Sequence, residues 1–292
     1  LHVTTRREFV ASLGAAALGS VALYRRERRA PAIHWGYASI TWNGNDAQAI
    51  DDIASLGFAG VQLRANVLQQ FSAPQLRDLL ASRSLALVAL SSGAVRFGTA
   101  DQERQMIDDH VARARFVREV GGSYLQVTDE RPTGRPTTGE DFARLGRLLG
   151  EIGKRTADLG IPLGYHNHMG TMGERPDDVD RILAASDPTV VRFELDIAHY
   201  AQGGGDPALA IRRHADRLLF LHIKDVESTP SGYRFVELGR GRVDIKGVLA
   251  ALREINFAGW AVIELDAVPP TPPPRTPKEC AAISKAYLAT IG

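Results

Sequence analysis

From Ile33 onward, short runs rich in β-branched and aromatic residues alternate with longer amphipathic segments, and few folds accept that rhythm. The runs span 34–40, 59–64, 85–90, 123–128, 162–166, 190–196, 218–224 and 260–265. Between them, 46–56, 74–82, 101–120, 140–159, 177–185, 206–214, 246–255 and 277–290 read as helices. A strand followed by a helix, repeated eight times within 292 residues, predicts an α/β chain closed into a (β/α)8, or TIM, barrel. The alternative, an open doubly wound sheet, would want a glycine-rich phosphate turn after its first strand, and Ser39-Ile40-Thr41-Trp42-Asn43 is not one. The barrel is expected to be a single domain over 31–292, with the proline-rich stretch 269–277 as an extended loop after the last strand.

The first thirty residues read differently. Thr5-Arg6-Arg7-Glu8-Phe9-Val10 precedes a small, apolar run from Ala11 to Leu23, the charged start and apolar middle of an export signal. The paired arginines resemble the twin-arginine type, so 1–30 is expected to act as a twin-arginine signal peptide and to direct the chain to the periplasm. The apolar run is shorter than the roughly 20 residues that span a bilayer, which makes membrane contact transient unless the segment is retained as an anchor. An ordinary amphipathic first helix is the bland alternative, and the continuous apolar run lacks the polar face it would need. These thirty residues carry six arginines against two glutamates, so a net charge of +1 leaves the remainder mildly acidic. Without basic tracts in the body, nucleic acid is not an expected partner. Nothing in the sequence sets the oligomeric state.

Catalytic groups of a barrel sit at the C-terminal ends of its strands. Four consecutive runs end in polar residues: His166 and His168, Asp196 and His199, His222 and Lys224, Glu264 and Asp266. Because residues two apart on a strand point the same way, both members of a pair such as His222 and Lys224 can face one site. The chain's one cysteine, Cys280, excludes a thiolate cluster, so a metal would be held by imidazole and carboxylate. Such a mixed set suits one divalent ion among Mn, Co, Mg, Fe and Zn. Each residue also has a plainer role: a lone histidine is commonly a hydrogen-bonded surface group, Asp196 would cap a following helix, and Lys224-Asp225 would be a solvated pair.

These residues resemble the sugar isomerase/epimerase barrels related to xylose isomerase, and within them the inosose dehydratases. The similarity is carried by Tyr165-His166-Asn167-His168-Met169-Gly170-Thr171, by Glu194-Leu195-Asp196-Ile197-Ala198-His199 with Gly203-Gly204-Gly205-Asp206-Pro207, and by Leu221-His222-Ile223-Lys224-Asp225-Val226. The loop Glu237-Leu238-Gly239-Arg240-Gly241 and the first strand Gly36-Tyr37-Ala38-Ser39-Ile40-Thr41-Trp42 extend it over 33–266. The resemblance implies metal ligands at His166, Asp196, His222 and Glu264, with His168 as the competing strand-five ligand, and His199 and Lys224 near substrate. Many epimerases of the group have glutamate where His166 stands, so a symmetric two-carboxylate epimerase is disfavoured. Related abasic-site endonucleases hold three zinc ions with histidines on early strands, where this chain has Gln62-Leu63-Arg64 and Ser91-Ser92.

The implied activity is that of a metal-dependent lyase on a small sugar or keto-polyol, of the inosose dehydratase or 3-keto-glycoside eliminase kind. Glu264 or His168 is expected as the base and His199, His168 or Lys224 as the acid. A sugar isomerase/epimerase is the alternative within the class. Outside it stands a non-catalytic, exported sugar-binding barrel.

Overall fold

In the computed structural model, residues 33–292 are described except Thr271, Pro273 and Gly292; the expected export signal and its membrane contact lie outside the described residues. Among the described residues no helix is long and apolar enough to cross a membrane. Eight parallel strands close a barrel in sequence order: β1 (Ile33–Ala38), β2 (Gly60–Arg64), β3 (Ala86–Val95), β4 (Tyr124–Asp129), β5 (Leu163–His166), β6 (Val191–Asp196), β7 (Leu218–Ile223) and β10 (Gly259–Ile263). Closure is made by β10 against β1, with Ile33 opposite Gly259 and Tyr37 opposite Ile263. The helices are α1 (Asp46–Ser55), α2 (Ala73–Ser82), α3 (Ala100–Val120), α4 (Gly139–Ala157), α5 (Pro176–Ala185), α6 (Ile197–Gln202), α7 (Pro207–Arg213), α8 (Ile245–Glu254) and α9 (Pro277–Ile291).

Two apolar layers hold this together. Between strands and helices lies the larger core, in which Ile50, Ile53, Leu76, Leu145, Phe193 and Ile211 are fully buried. Inside the barrel a small plug of Ala38, Val88, Ala89, Phe220 and Val262 packs with Tyr124 and Trp260. Gly60 is required there, because a Cβ would stand 2.8 Å from the Trp260 ring and 2.6 Å from Val88. The plug fills the floor of the barrel and leaves the C-terminal rim for polar groups.

Three local departures from the sequence pattern have visible causes. β1 stops at Ala38 because Ser39 turns to bond Asp46 (2.7 Å) and Trp42 donates to Asp52 (2.9 Å), closing a short 3-10 turn. β3 runs on to Val95, past the expected end at residue 90, through an irregularity between Ser91 and Ala94 where Gly93 takes φ +89°. Two helices, not one, link β6 to β7, since Asp196 starts α6 directly at the strand end. An unanticipated antiparallel hairpin, β8 (Asp225–Thr229) with β9 (Gly232–Val236), follows β7 on the rim.

Candidate metal centre and acid–base site

Four neighbouring strands, β5, β6, β7 and β10, build one polar cluster. Register places His166 opposite Glu194 and Asp196 opposite His222, and strand alternation turns all four side chains into the barrel. His166, Glu194, Asp196, His199, His222, Lys224 and Glu264 are all buried. Asn167 stitches the two central strands by accepting from the Asp196 N–H (2.9 Å) and donating to its carbonyl (3.2 Å).

Asp196 makes the helix cap read from the sequence and keeps one oxygen free of it. Its Oδ1 accepts from the Ala198 and His199 N–H groups, each at 2.8 Å, and so caps α6. Its Oδ2 is left facing His222 Nδ1 (3.6 Å), Lys224 Nζ (3.7 Å) and His199 Nε2 (3.8 Å). Glu264 Oε2 approaches His222 Nδ1 (3.1 Å) and Lys224 Nζ (2.9 Å). Lys224 also donates to Asp266 (2.6 Å) and lies over the Phe235 ring of β9 (4.2 Å). The solvated-pair reading of Lys224-Asp225 is thus corrected: both are buried and point apart. Lys224 enters the cluster, while the Asp225 carboxylate accepts the N–H groups of Val226, Gly239, Gly241 and Val243 at 2.9–3.0 Å. Gly241 is needed because a Cβ there would meet Asp225 itself.

The charges settle in a pattern. Burial opposes an imidazolium at His222, but Glu194 and Glu264 outweigh it and hold the ring protonated well above its usual range. Burial likewise disfavours the Glu264 carboxylate, yet His222 and Lys224 keep it ionised well below the normal value. Lys224 stays charged despite burial because Glu264, Asp196 and Asp266 surround it. His199 and His168 go the other way: burial, with Lys224 beside His199 and His166 beside His168, lowers both.

Hydrogen bonds fix the tautomer of the neutral His168 ring and place donors at both nitrogens of His199. A backbone carbonyl only accepts, so the 2.7 Å contact of His168 Nδ1 with the Met169 oxygen places the proton on Nδ1 and leaves Nε2 bare. His199 Nδ1 accepts from the Met169 N–H (3.2 Å), and its Nε2 faces the Lys224 ammonium, a donor only, at 3.2 Å, so both ring nitrogens of His199 meet N–H donors. The two rings lie 3.8 Å apart, centre to centre.

The donor set fits a divalent cation. Asp196 Oδ2 and His222 Nδ1 are buried without a hydrogen-bond partner, and such atoms are rare in folded proteins. Ligand-type atoms of Asp196, His222 and Glu264 lie within 4.8 Å of one another, as do those of His166, Asp196 and His199. Asp196, Glu264 and Asp266 face a single ammonium, Lys224, and Glu194 faces the rings of His166 and His222, so the cluster draws in positive charge, supplied here by the proton on His222. His166 falls within ligand reach of Asp196, whereas no such group includes His168, which the sequence left as its competitor.

Glu194, Gln62 and Phe235 were not singled out from the sequence. The signal for Glu194 was available, since it stands two residues before Asp196 and shares its face. Phe235 had none, because its place depends on the β8–β9 hairpin folding over Lys224.

A closed (β/α)8 barrel with imidazoles and carboxylates gathered at the C-terminal ends of four adjacent strands has its polar groups where barrel enzymes carry their active sites. The chain belongs to the xylose isomerase-like TIM barrel family, which it matches over residues 50–286. It is 26% identical to inosose dehydratase of Lacticaseibacillus casei over 294 residues, covering 88% of this chain and 96% of that one. It is 27% identical to the rhizopine catabolism protein MocC of Rhizobium meliloti, over 79% of this chain and 80% of the other. Among solved structures, the IOLI protein with a bound zinc atom superposes with a TM-score of 0.75 at 18% identity, covering 89% of this chain and 98% of that chain.

Proposed function

We propose that this protein is a metal-dependent lyase acting on a small keto-polyol or 3-keto-glycoside, with His166, Asp196, His222 and Glu264 as metal ligands. The observation that carries it is the asymmetry beside those ligands. On one side His168 offers a bare, neutral Nε2; on the other Lys224 carries a fixed ammonium, with the His199 ring beside it at 3.2 Å. One base and one acid suit removal of a proton from the carbon next to a ketone and departure of the β-oxygen substituent. A two-way epimerase would want two matched bases, and histidine at 166 removes that symmetry.

When bound, a divalent ion supplies Lewis-acid polarisation of the ketone, which makes the neighbouring carbon acidic enough for a side-chain base. His168 Nε2 takes that proton. Glu264 is the poorer base because Lys224 and His222 hold it ionised and engaged. Lys224 holds a proton for the leaving oxygen, and Phe235, against the His199 ring at 4.7 Å, keeps water from the donor side. The inosose dehydratase relatives supply the keto-polyol half of the substrate class. The twin-arginine-like start suggests an exported enzyme, and an exported member of this class would meet keto-glycosides.

The test is incubation of the Mn²⁺- or Co²⁺-loaded protein with inosose and with 3-keto-glucosides in D2O, followed by NMR. Loss of water or aglycone, abolished in His168→Ala, is expected. Deuterium exchange at the carbon next to the ketone without elimination would instead identify an isomerase. Sugar binding with neither change would identify a non-catalytic barrel.

A further inference from the structure

Gln62, Gln126 and Glu194 are buried inside the barrel, and none of the steps above uses them. Gln62 Nε2 donates to Gln126 Oε1 at 2.9 Å, and Gln62 Oε1 meets His222 Nε2 at 2.8 Å. Glu194 Oε1 lies 2.9 Å from that same nitrogen, and Glu194 Oε2 lies 3.3 Å from His166 Nδ1. Neither Glu194 oxygen is on an N–H line in this geometry, and neither has another hydrogen-bond partner. A fully buried carboxylate so placed is costly unless nearby donors offset its charge, and the two ring nitrogens are the polar atoms against it.

Glu194 also resolves which way the amides and the ring are arranged. A bare His222 Nε2 would set a lone pair against the carboxylate, so this nitrogen must carry a proton. Gln62 must then present its oxygen to His222 and its NH2 to Gln126, as observed. His222 is left with Nδ1 for the other side, where Glu264 stands at 3.1 Å and Asp196 at 3.6 Å.

We propose that Glu194, by its charge, and the Gln126–Gln62 relay, by its hydrogen bond to His222 Nε2, form a positioning group that keeps the protonated nitrogen of His222 and that of His166 toward the barrel interior, so that His222 presents Nδ1 and His166 presents Nε2 to the metal. This role rests on the ligand set proposed above. A rival use of the same residues is a second ion among His166, Glu194 and His222, whose ligand-type atoms lie within 4.8 Å of one another. Gln62 already occupies His222 Nε2, which argues against it.

The experiment titrates metal-stripped parent, Glu194→Gln, Gln62→Leu and Gln62→Glu with Co²⁺. It reads stoichiometry, affinity by chelator competition, the visible Co²⁺ spectrum, and apo-protein melting as a check on folding. The parent should bind one Co²⁺ per chain. Loss of an outer-shell partner typically weakens metal binding about 10- to 100-fold, so Glu194→Gln should bind one ion that much more weakly, with an altered spectrum. Gln62→Leu should move in the same direction, whereas Gln62→Glu, which still accepts from Nε2–H while Gln126 turns its NH2 toward it, should bind like the parent. Should Glu194→Gln fail to fold, the Gln62 pair decides alone. Parental affinity and spectrum in Glu194→Gln and Gln62→Leu would overturn the positioning role and leave the ligand set standing. Two ions in the parent and one in Glu194→Gln would make Glu194 a ligand. A parent that binds no Co²⁺ would overturn the ligand set and this role with it.

Discussion

Replacing Lys224 by methionine separates the two jobs assigned to that side chain. Its ammonium is fully buried and stands 2.6 Å from Asp266, 2.9 Å from Glu264 and 3.7 Å from Asp196. Methionine keeps the length and apolar stem but leaves those three carboxylates with the protonated His222, beside Glu264 and Asp196, as their remaining counter-ion. Removing one partner of a buried pair costs about 3–5 kcal/mol, and a general acid contributes about 10²- to 10⁴-fold in rate. The metal-free variant should therefore lose several kcal/mol in urea unfolding, although its apolar packing is unchanged. A divalent ion restores part of the missing positive charge, so metal-loaded Lys224→Met should recover much of that stability and still show kcat/KM reduced by about 10²-fold or more, equivalent to about 3 kcal/mol of transition-state binding. The assay pairs urea unfolding, with and without Co²⁺, with elimination kinetics on the folded, metal-loaded variant, and adds methylammonium as an external proton donor. Partial rescue by methylammonium is expected if the ammonium serves the leaving group. A metal-loaded variant that keeps more than about a tenth of the parental kcat/KM would refute the acid role. Unchanged stability of the metal-free variant would refute the electrostatic account of the cluster.

A second prediction concerns acid stability away from the site. His110 on α3 is buried against Ser92 Oγ (2.7 Å), and burial together with Arg113 lowers its pKa to about 4. The unfolded chain, with an imidazole near 6.5, binds the extra proton between those values, so stability falls as pH drops through that window; the linkage amounts to about 2 kcal/mol lost between pH 7 and pH 5 and about 3 kcal/mol by pH 4. Urea unfolding of metal-free parent and His110→Gln at pH 7 and pH 5 should show a shallower loss in the variant, and equal slopes would rule the linkage out. The third is Asp225→Ala, which removes the acceptor of four N–H groups, those of Val226 and Val243 buried; at about 1–3 kcal/mol for each buried one it should cost at least about 2 kcal/mol and raise hydrogen exchange at Gly239, Gly241 and Val243 before the barrel strands open. Unaltered exchange at those three amides would show that the carboxylate does not hold the loop.

Periodicity along the chain was sufficient for the barrel, because each βα unit must bury one face of its strand under its own helix and the signal is local. It was also sufficient to bring His166, Asp196, His222 and Glu264 to one rim, since a strand's end and its side-chain alternation follow from residues adjacent in sequence. Pairings between distant segments were not legible. Gln62 reaches His222 across 160 residues of sequence, and Phe235 covers Lys224 only because β8 and β9 fold back as a hairpin. The tautomer of His168 hangs on the backbone of Met169, a geometry that no residue type announces. The sequence by itself determined which chemical groups arrive at the rim. Tertiary structure decided which nitrogen of each ring is bare and which carboxylate is already engaged, because those depend on burial and on neighbours brought together only when the barrel closes.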